Sequence, residues 1–84
     1  GSERIQVEVL KPLDANQMES IQSIDGVKKA STSGTLVFID FKGDKETQAS
    51  ILEGLLERGI KVTSFRPALG SLEEVYMRVV KEGK

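Results

Sequence analysis

The segment Leu36-Val37-Phe38-Ile39-Asp40-Phe41 is apolar on both faces of an extended chain. Side chains alternate along a strand, so Val37, Ile39 and Phe41 share one face and Leu36 and Phe38 the other. A strand of this kind belongs in the middle of a sheet, with apolar cover on both sides. The chain has 84 residues, enough for one domain. Every other element has to be arranged around this strand.

Ile5, Val7 and Val9 alternate with Arg4, Gln6 and Glu8, the period-2 pattern of a half-buried strand. Pro12 breaks the pattern. Asp14 is suited to cap a helix over Ala15–Ser23, with Gln17 completing the cap and Leu13 and Met18 at the positions of a hydrophobic staple. Met18, Ile21 and Ile24 face inward, and Gly26 is placed as the left-handed C-terminal residue. A weaker strand, Val27–Thr32, follows, and Ser33-Gly34 marks a tight turn before the central strand. Its Lys28-Lys29 pair suits a solvated strand edge. Gly43-Asp44 ends the central strand and caps a second helix, Lys45–Arg58, with Ile51, Leu52, Leu55 and Leu56 as its buried stripe. Gly54 inside that helix is expected to permit close packing on the sheet. Gly59 closes the helix, Ile60–Phe65 forms a fourth strand stopped by Pro67, and a last helix runs from Leu72 to about Lys81. The order βαββαβ plus one helix is the split βαβ arrangement. The expected fold class is α+β, a ferredoxin-like two-layer sandwich with an added C-terminal helix and both earlier helices on one face of an antiparallel sheet.

Composition removes several function classes. The 38% hydrophobic and 30% charged residues are those of a globular chain, and the absence of cysteine and histidine excludes thiolate metal sites, disulfides and an imidazole base. No apolar run approaches the ~18–20 residues of a membrane span. A net charge of −1 offers no basic excess for phosphate backbones. Phe38-Ile39-Asp40-Phe41 matches the end of the central-strand consensus of RNA-recognition domains, but Gln6 and Leu36 occupy the other stacking positions, and one aromatic is no platform. Asp40 is expected to point outward or to meet a nearby lysine. No glycine-rich phosphate loop occurs, since Gly26, Gly34, Gly43 and Gly54 stand alone. The loop Leu10-Lys11-Pro12-Leu13-Asp14 lacks both the CxxC of ferredoxin-like metal chaperones and the arginine and glycine of small phosphatases. No catalytic, cofactor-binding or metal-binding residue is assigned. Gly1-Ser2 reads as the scar of a removed tag, and residues 3–84 as a single domain excised from a longer protein.

The stretch Ser71-Leu72-Glu73-Glu74-Val75-Tyr76-Met77-Arg78-Val79 reads as a helix start. Ser71 can accept from the N–H of Glu74, and the Glu74 carboxylate can accept from the N–H of Ser71, satisfying two otherwise open donors. Glu73 suits the positive end of the helix dipole. Leu72, Val75, Tyr76 and Val79 then lie on one face. Two helices cover one side of the sheet, so Leu36 and Phe38 are expected on the other. The stripe Leu72, Val75, Tyr76, Val79 is expected to pack there, or else to meet a partner.

With this order of elements, the chain resembles the C-terminal accessory domain of bacterial ABC transporter ATP-binding subunits, especially those serving ABC-2 type drug, antibiotic or sodium exporters. The resemblance runs through Ile5-Gln6-Val7-Glu8-Val9, Ile24-Asp25-Gly26-Val27, Leu36-Val37-Phe38-Ile39 and Gly59-Ile60-Lys61-Val62. It ends in Ser71-Leu72-Glu73-Glu74-Val75-Tyr76, its most distinctive string. The family usually has phenylalanine where this chain has Tyr76, and often proline where it has Gly70. The resemblance implies a non-catalytic regulatory or architectural domain that is not itself an enzyme. The parent protein would couple ATP hydrolysis to export, with ATP and Mg²⁺ held upstream and no cofactor in this part. It implies as partners the ATPase core of the same chain and a second ATPase subunit or the membrane permease, without nucleic acid or membrane insertion. The implied location is the cytoplasm, at the membrane through the transporter. The alternative is a small-ligand sensor of the ACT type, which shares βαββαβ. Those domains commonly place glycine after the first strand, where this chain has Pro12.

Overall fold

The computed structural model describes residues 3–68. Its elements are β1 (Glu3–Val9), α1 (Ala15–Gln22), β2 (Val27–Ser33), β3 (Leu36–Phe41), α2 (Lys45–Glu57) and β4 (Val62–Ala68). The strands form one antiparallel sheet in the order β2-β3-β1-β4. This is the expected ferredoxin-like α+β arrangement, with the doubly apolar strand β3 in the interior of the sheet. The expected helix over Leu72–Lys81 lies outside the described residues.

One face of the sheet carries the core. Ile5, Val7 and Val9 of β1 and Val37, Ile39 and Phe41 of β3 are buried beneath Ile21 of α1 and Ile51 and Leu55 of α2, with Ile24 and Ile60 closing the ends. Burying a side chain of this size is worth about 1.5–3 kcal/mol, so this face supplies most of what holds the fold together.

Both helices start as the sequence implies. Asp14 accepts from the N–H of Gln17 at 2.8 Å, and the Gln17 side chain accepts from the N–H of Asp14 at 2.9 Å. Leu13 and Met18, the staple positions, are both partly buried against the core. At α2, Asp44 accepts from the N–H of Thr47 at 3.1 Å. Its C-terminus closes through Gly59 at φ 74°, with the N–H of Gly59 donating to Leu56 O and the N–H of Ile60 donating to Leu55 O. Two open carbonyls are thus satisfied, and the buried Ile60 supplies the accompanying apolar contact. Arg58 ties this end of α2 to the end of α1. Its Nε donates to Ser20 Oγ at 2.9 Å and its Nη1 to Gly54 O at 3.0 Å.

Several local expectations are corrected. Helix α1 is capped at Ser23, so Gly26, at φ 95°, belongs to the turn entering β2 and not to the helix end. The β2–β3 hairpin turns on Gly34-Thr35, with Gly34 at φ 63°. Leu56 is 54% exposed, because the buried arc of α2 runs through Ile51, Gly54 and Leu55 instead. Gly54 is buried, and the atoms nearest to a Cβ built on it are those of the Ile24 side chain. Strand β4 begins at Val62 and continues through Pro67 to Ala68. It pairs with β1 alone, and a strand with a single neighbour tolerates proline, because every second N–H faces away from the ladder. In β2 the pairing register slips between Val27 and Lys29. Both Lys28 and Lys29 are exposed there, as expected of an edge strand, while Val27 and Ala30 pack toward the core.

Candidate functional site

The face of the sheet opposite α1 and α2 carries Leu36 and Phe38, the residues expected from the sequence to take part in packing or in a partner contact. Strand pairing fixes its composition in three rows, each read from β2 across to β4. They are Lys29–Asp40–Arg4–Ala68, then Ser31–Phe38–Gln6–Arg66, then Ser33–Leu36–Glu8–Ser64. Leu36 and Phe38, the described members of the expected packing surface, stand here next to each other along β3, both half-buried. Ser71, Leu72, Glu73, Glu74, Val75, Tyr76 and Val79 lie outside the described residues.

Phe38 has polar neighbours on three sides. Gln6 and Ser31 oppose it on the adjacent strands. The Arg4 guanidinium carbon is 6.0 Å from its ring centroid, at the outer limit for a cation–π contact. Arg4 Nε donates to Asp40 Oδ1 at 2.8 Å. With the two side chains 50% and 27% exposed, an ion pair of this kind contributes at most about 1 kcal/mol. Its structural effect is to lay the arginine stem across the row next to Phe38. Asp40 does point away from the core, as expected, but its partner is Arg4 on β1 and not a lysine.

Arg4, Gln6 and Arg66 frame this surface; the sequence singles out neither arginine, and Gln6 only as the residue at an RNA-stacking position where an aromatic is missing. Arg4 and Gln6 were accessible to that reading: alternation in β1 sets them opposite Ile5 and Val7. That they flank Phe38 depends on β1 pairing with β3 in this register, which no local pattern encodes. Arg66 stands opposite Gln6 only because β4 slips against β1 near Glu8, where Thr63 Oγ1 donates to Glu8 O at 3.2 Å.

A concave surface lies at one end of the sheet, between the loop after β1 and the entry to β4. It has a volume of about 300 Å³ and is lined in part by Leu10, Lys11, Pro12, Leu13, Ile60 and Lys61. Leu10 is 60% exposed there, while its N–H donates to Lys61 O at 3.0 Å.

Elsewhere, the Thr47 backbone N–H holds the Asp44 carboxyl below its ordinary range, and the Thr47 hydroxyl assists. That shift belongs to the α2 cap. Among the described residues, no group of three or more acidic, histidine or cysteine side chains gathers as a metal ion would require, and no helix is long and apolar enough to cross a membrane.

No curated protein matches the chain. Among solved structures, the copper binding domain from HMA7, a P-type ATPase, is similar at 18% sequence identity and a TM-score of 0.46, over 82% of this chain and 97% of that one. The family described as the C-terminal domain of DrrA1-3-like ATP-binding proteins matches residues 1–80. The match spans β1 through β4 and extends over the distinctive string Ser71–Tyr76. The chain therefore belongs to this family, and is a C-terminal accessory domain of an ABC transporter ATP-binding protein.

Proposed function

We propose that this domain is a non-catalytic regulatory or architectural part of its ATPase, in a parent protein that couples ATP hydrolysis to export. The observation that carries the reading is that the family match takes in residues 1–80, while the sequence over that span has no phosphate-cradling loop. ATP and Mg²⁺ are then handled by the catalytic core, and the domain acts through contacts. Its partners are the ATPase core of the same chain and a second ATPase subunit or the membrane permease. It works in the cytoplasm and is held at the membrane through the transporter. The near-neutral charge supports protein surfaces as partners over nucleic acid or anionic lipid.

Titration of ATP–Mg²⁺ into the isotope-labelled domain tests the reading. No saturable NMR shift is expected at millimolar nucleotide, and a saturable shift overturns it. The same titration with amino acids and other small effectors separates it from a ligand sensor of the ACT type. A saturable shift there, centred on the loop after β1, moves the assignment to that class.

A further inference from the structure

We infer that the end of the sheet between the loop after β1 and the entry to β4 is a docking surface for a partner protein. It takes an acidic segment that lays one large apolar side chain into the concavity lined by Leu10, Pro12, Leu13 and Ile60. The inference rests on the reading that this domain acts through contacts with protein surfaces.

Among the described residues, the large apolar side chains left exposed are Leu10 and Leu56. Both lie at this end of the fold. Leu10 lines the concavity, and Leu56 belongs to the last turn of α2, whose closing Gly59 lines it too. One exposed leucine is unremarkable, whereas two at one end, beside an exposed Pro12, mark a surface. Leu10 is also held firmly. Its N–H donates to Lys61 O at 3.0 Å, and the N–H of Val9 donates to Thr35 O at 2.9 Å, so β1 is tied on both sides up to this point. Pro12 fixes its own φ, and Asp14 anchors the far end of the loop through the α1 cap. An apolar side chain presented from a fixed backbone costs little to order on binding.

Size favours a side chain over a free ligand. The volume of about 300 Å³ is at the lower end of the range for small-molecule sites. It suits one aromatic or branched aliphatic group of a longer segment. Val9 and Ile60, both buried, also line it, and the exposed Leu10 extends the apolar contact beyond the concavity.

Charge selects the partner. Lys11 comes from the loop after β1 and Lys61 from the entry to β4; both are exposed, and no aspartate or glutamate is among the lining residues. In a chain of net charge −1, this end is locally basic. The nearest acid along the loop, Asp14, is already engaged by the N–H of Gln17 at 2.8 Å. Two ammonium groups beside an apolar hollow attract carboxylates that flank an apolar anchor, and they repel a basic segment. Two lysines fall short of the clusters of about 4–8 basic residues by which anionic membranes are bound.

The test titrates the isotope-labelled 84-residue chain with a short capped peptide that has phenylalanine between two pairs of glutamates. Saturable NMR shifts are expected at Leu10, Lys11, Leu13, Ile60 and Lys61. Replacing the phenylalanine by serine, or the glutamates by lysines, should weaken binding several-fold. Leu10→Ser and the double variant Lys11→Glu/Lys61→Glu should do the same. All three positions are exposed, and unchanged amide spectra away from them will show that the variants keep the fold. The inference is overturned by the absence of shifts at millimolar peptide, by shifts centred on another surface, or by binding indifferent to the phenylalanine or to the variants. Equally tight binding of free phenylalanine also overturns it, since that marks a small-ligand site. Peptide shifts centred on the open sheet face sink this surface and leave the functional reading in place, whereas a saturable ATP–Mg²⁺ shift sinks the functional reading itself.

Discussion

Ile24 occupies the space that a side chain on Gly54 would need: a Cβ at Gly54 would come to 3.1 Å from Ile24 Cδ1 and 3.2 Å from its Cγ2. This contact joins α2 to the segment just after α1, and it explains a glycine in the middle of a helix. Alanine at position 54 would gain about 1 kcal/mol in helix propensity. Ile24 is poorly placed to yield, because both its branches are involved and its backbone is fixed. Its N–H donates to Ile21 O and its carbonyl accepts from Val27. Overpacking costs about 1–3 kcal/mol, so Gly54→Ala is expected to lose about 1 kcal/mol net in urea unfolding, and Gly54→Val more. Ile24→Val should cost less in the Gly54→Ala background than alone, which a double-mutant cycle would read directly.

Gly59 offers the opposite case. It sits at φ 74° with nothing within 4 Å of a Cβ built on it. The cost of a side chain there is purely conformational, about 1–2 kcal/mol for an L-residue in the left-handed region. Gly59→Ala is expected to lower the urea midpoint by the equivalent of about 1 kcal/mol with an unchanged slope, and Gly59→Asn to lose less. Equal stability of the alanine and wild-type chains would mean that α2 ends differently.

Asp44 makes the acid limb of stability testable. Its carboxyl is held below the ordinary value of 3.8, first by the Thr47 backbone N–H. A group with a lowered folded-state pKa contributes stability that is present above its unfolded value and is lost as pH falls through its folded one. The contribution should therefore be intact at pH 5 and decline from just under pH 4 downward. Asparagine caps helices about as well as aspartate. Asp44→Asn is expected to keep most of the stability at neutral pH and to flatten the decline below pH 4, as followed by thermal unfolding across pH 2.5–6.

Legibility in the sequence divides along the range of the cause. Asp14 with Gln17, Asp44 with Thr47 and Gly59 act within a few residues, so their roles are visible in the string itself. The two-faced pattern of β3 likewise placed it inside the sheet and put Leu36 and Phe38 opposite the core. The corrections come where a tertiary neighbour decides. Leu56 looked buried because it extends the apolar stripe of α2, but the buried arc passes through Gly54, and Ile24 fills that gap. Pro67 looked like a stop because proline breaks a ladder, and it does so only where a neighbour needs the missing N–H. In the candidate site, Phe38 was legible, whereas Arg4 and Asp40 meet across the β1–β3 register, which the residues around them do not encode.

The two rims of the sheet are unlike each other, and this affects how the domain can join anything larger. Along β4 the outer rim includes Pro67, a residue with no donor to offer. Along β2 it carries adjacent ammonium groups at Lys28 and Lys29, where the pairing register slips. Neither rim is a good template for one more strand. Neighbouring copies crowded together therefore have little means of zipping edge to edge into a continuous sheet. Specific assembly is left to the broad surfaces and end loops, where shape and charge can discriminate one partner from another.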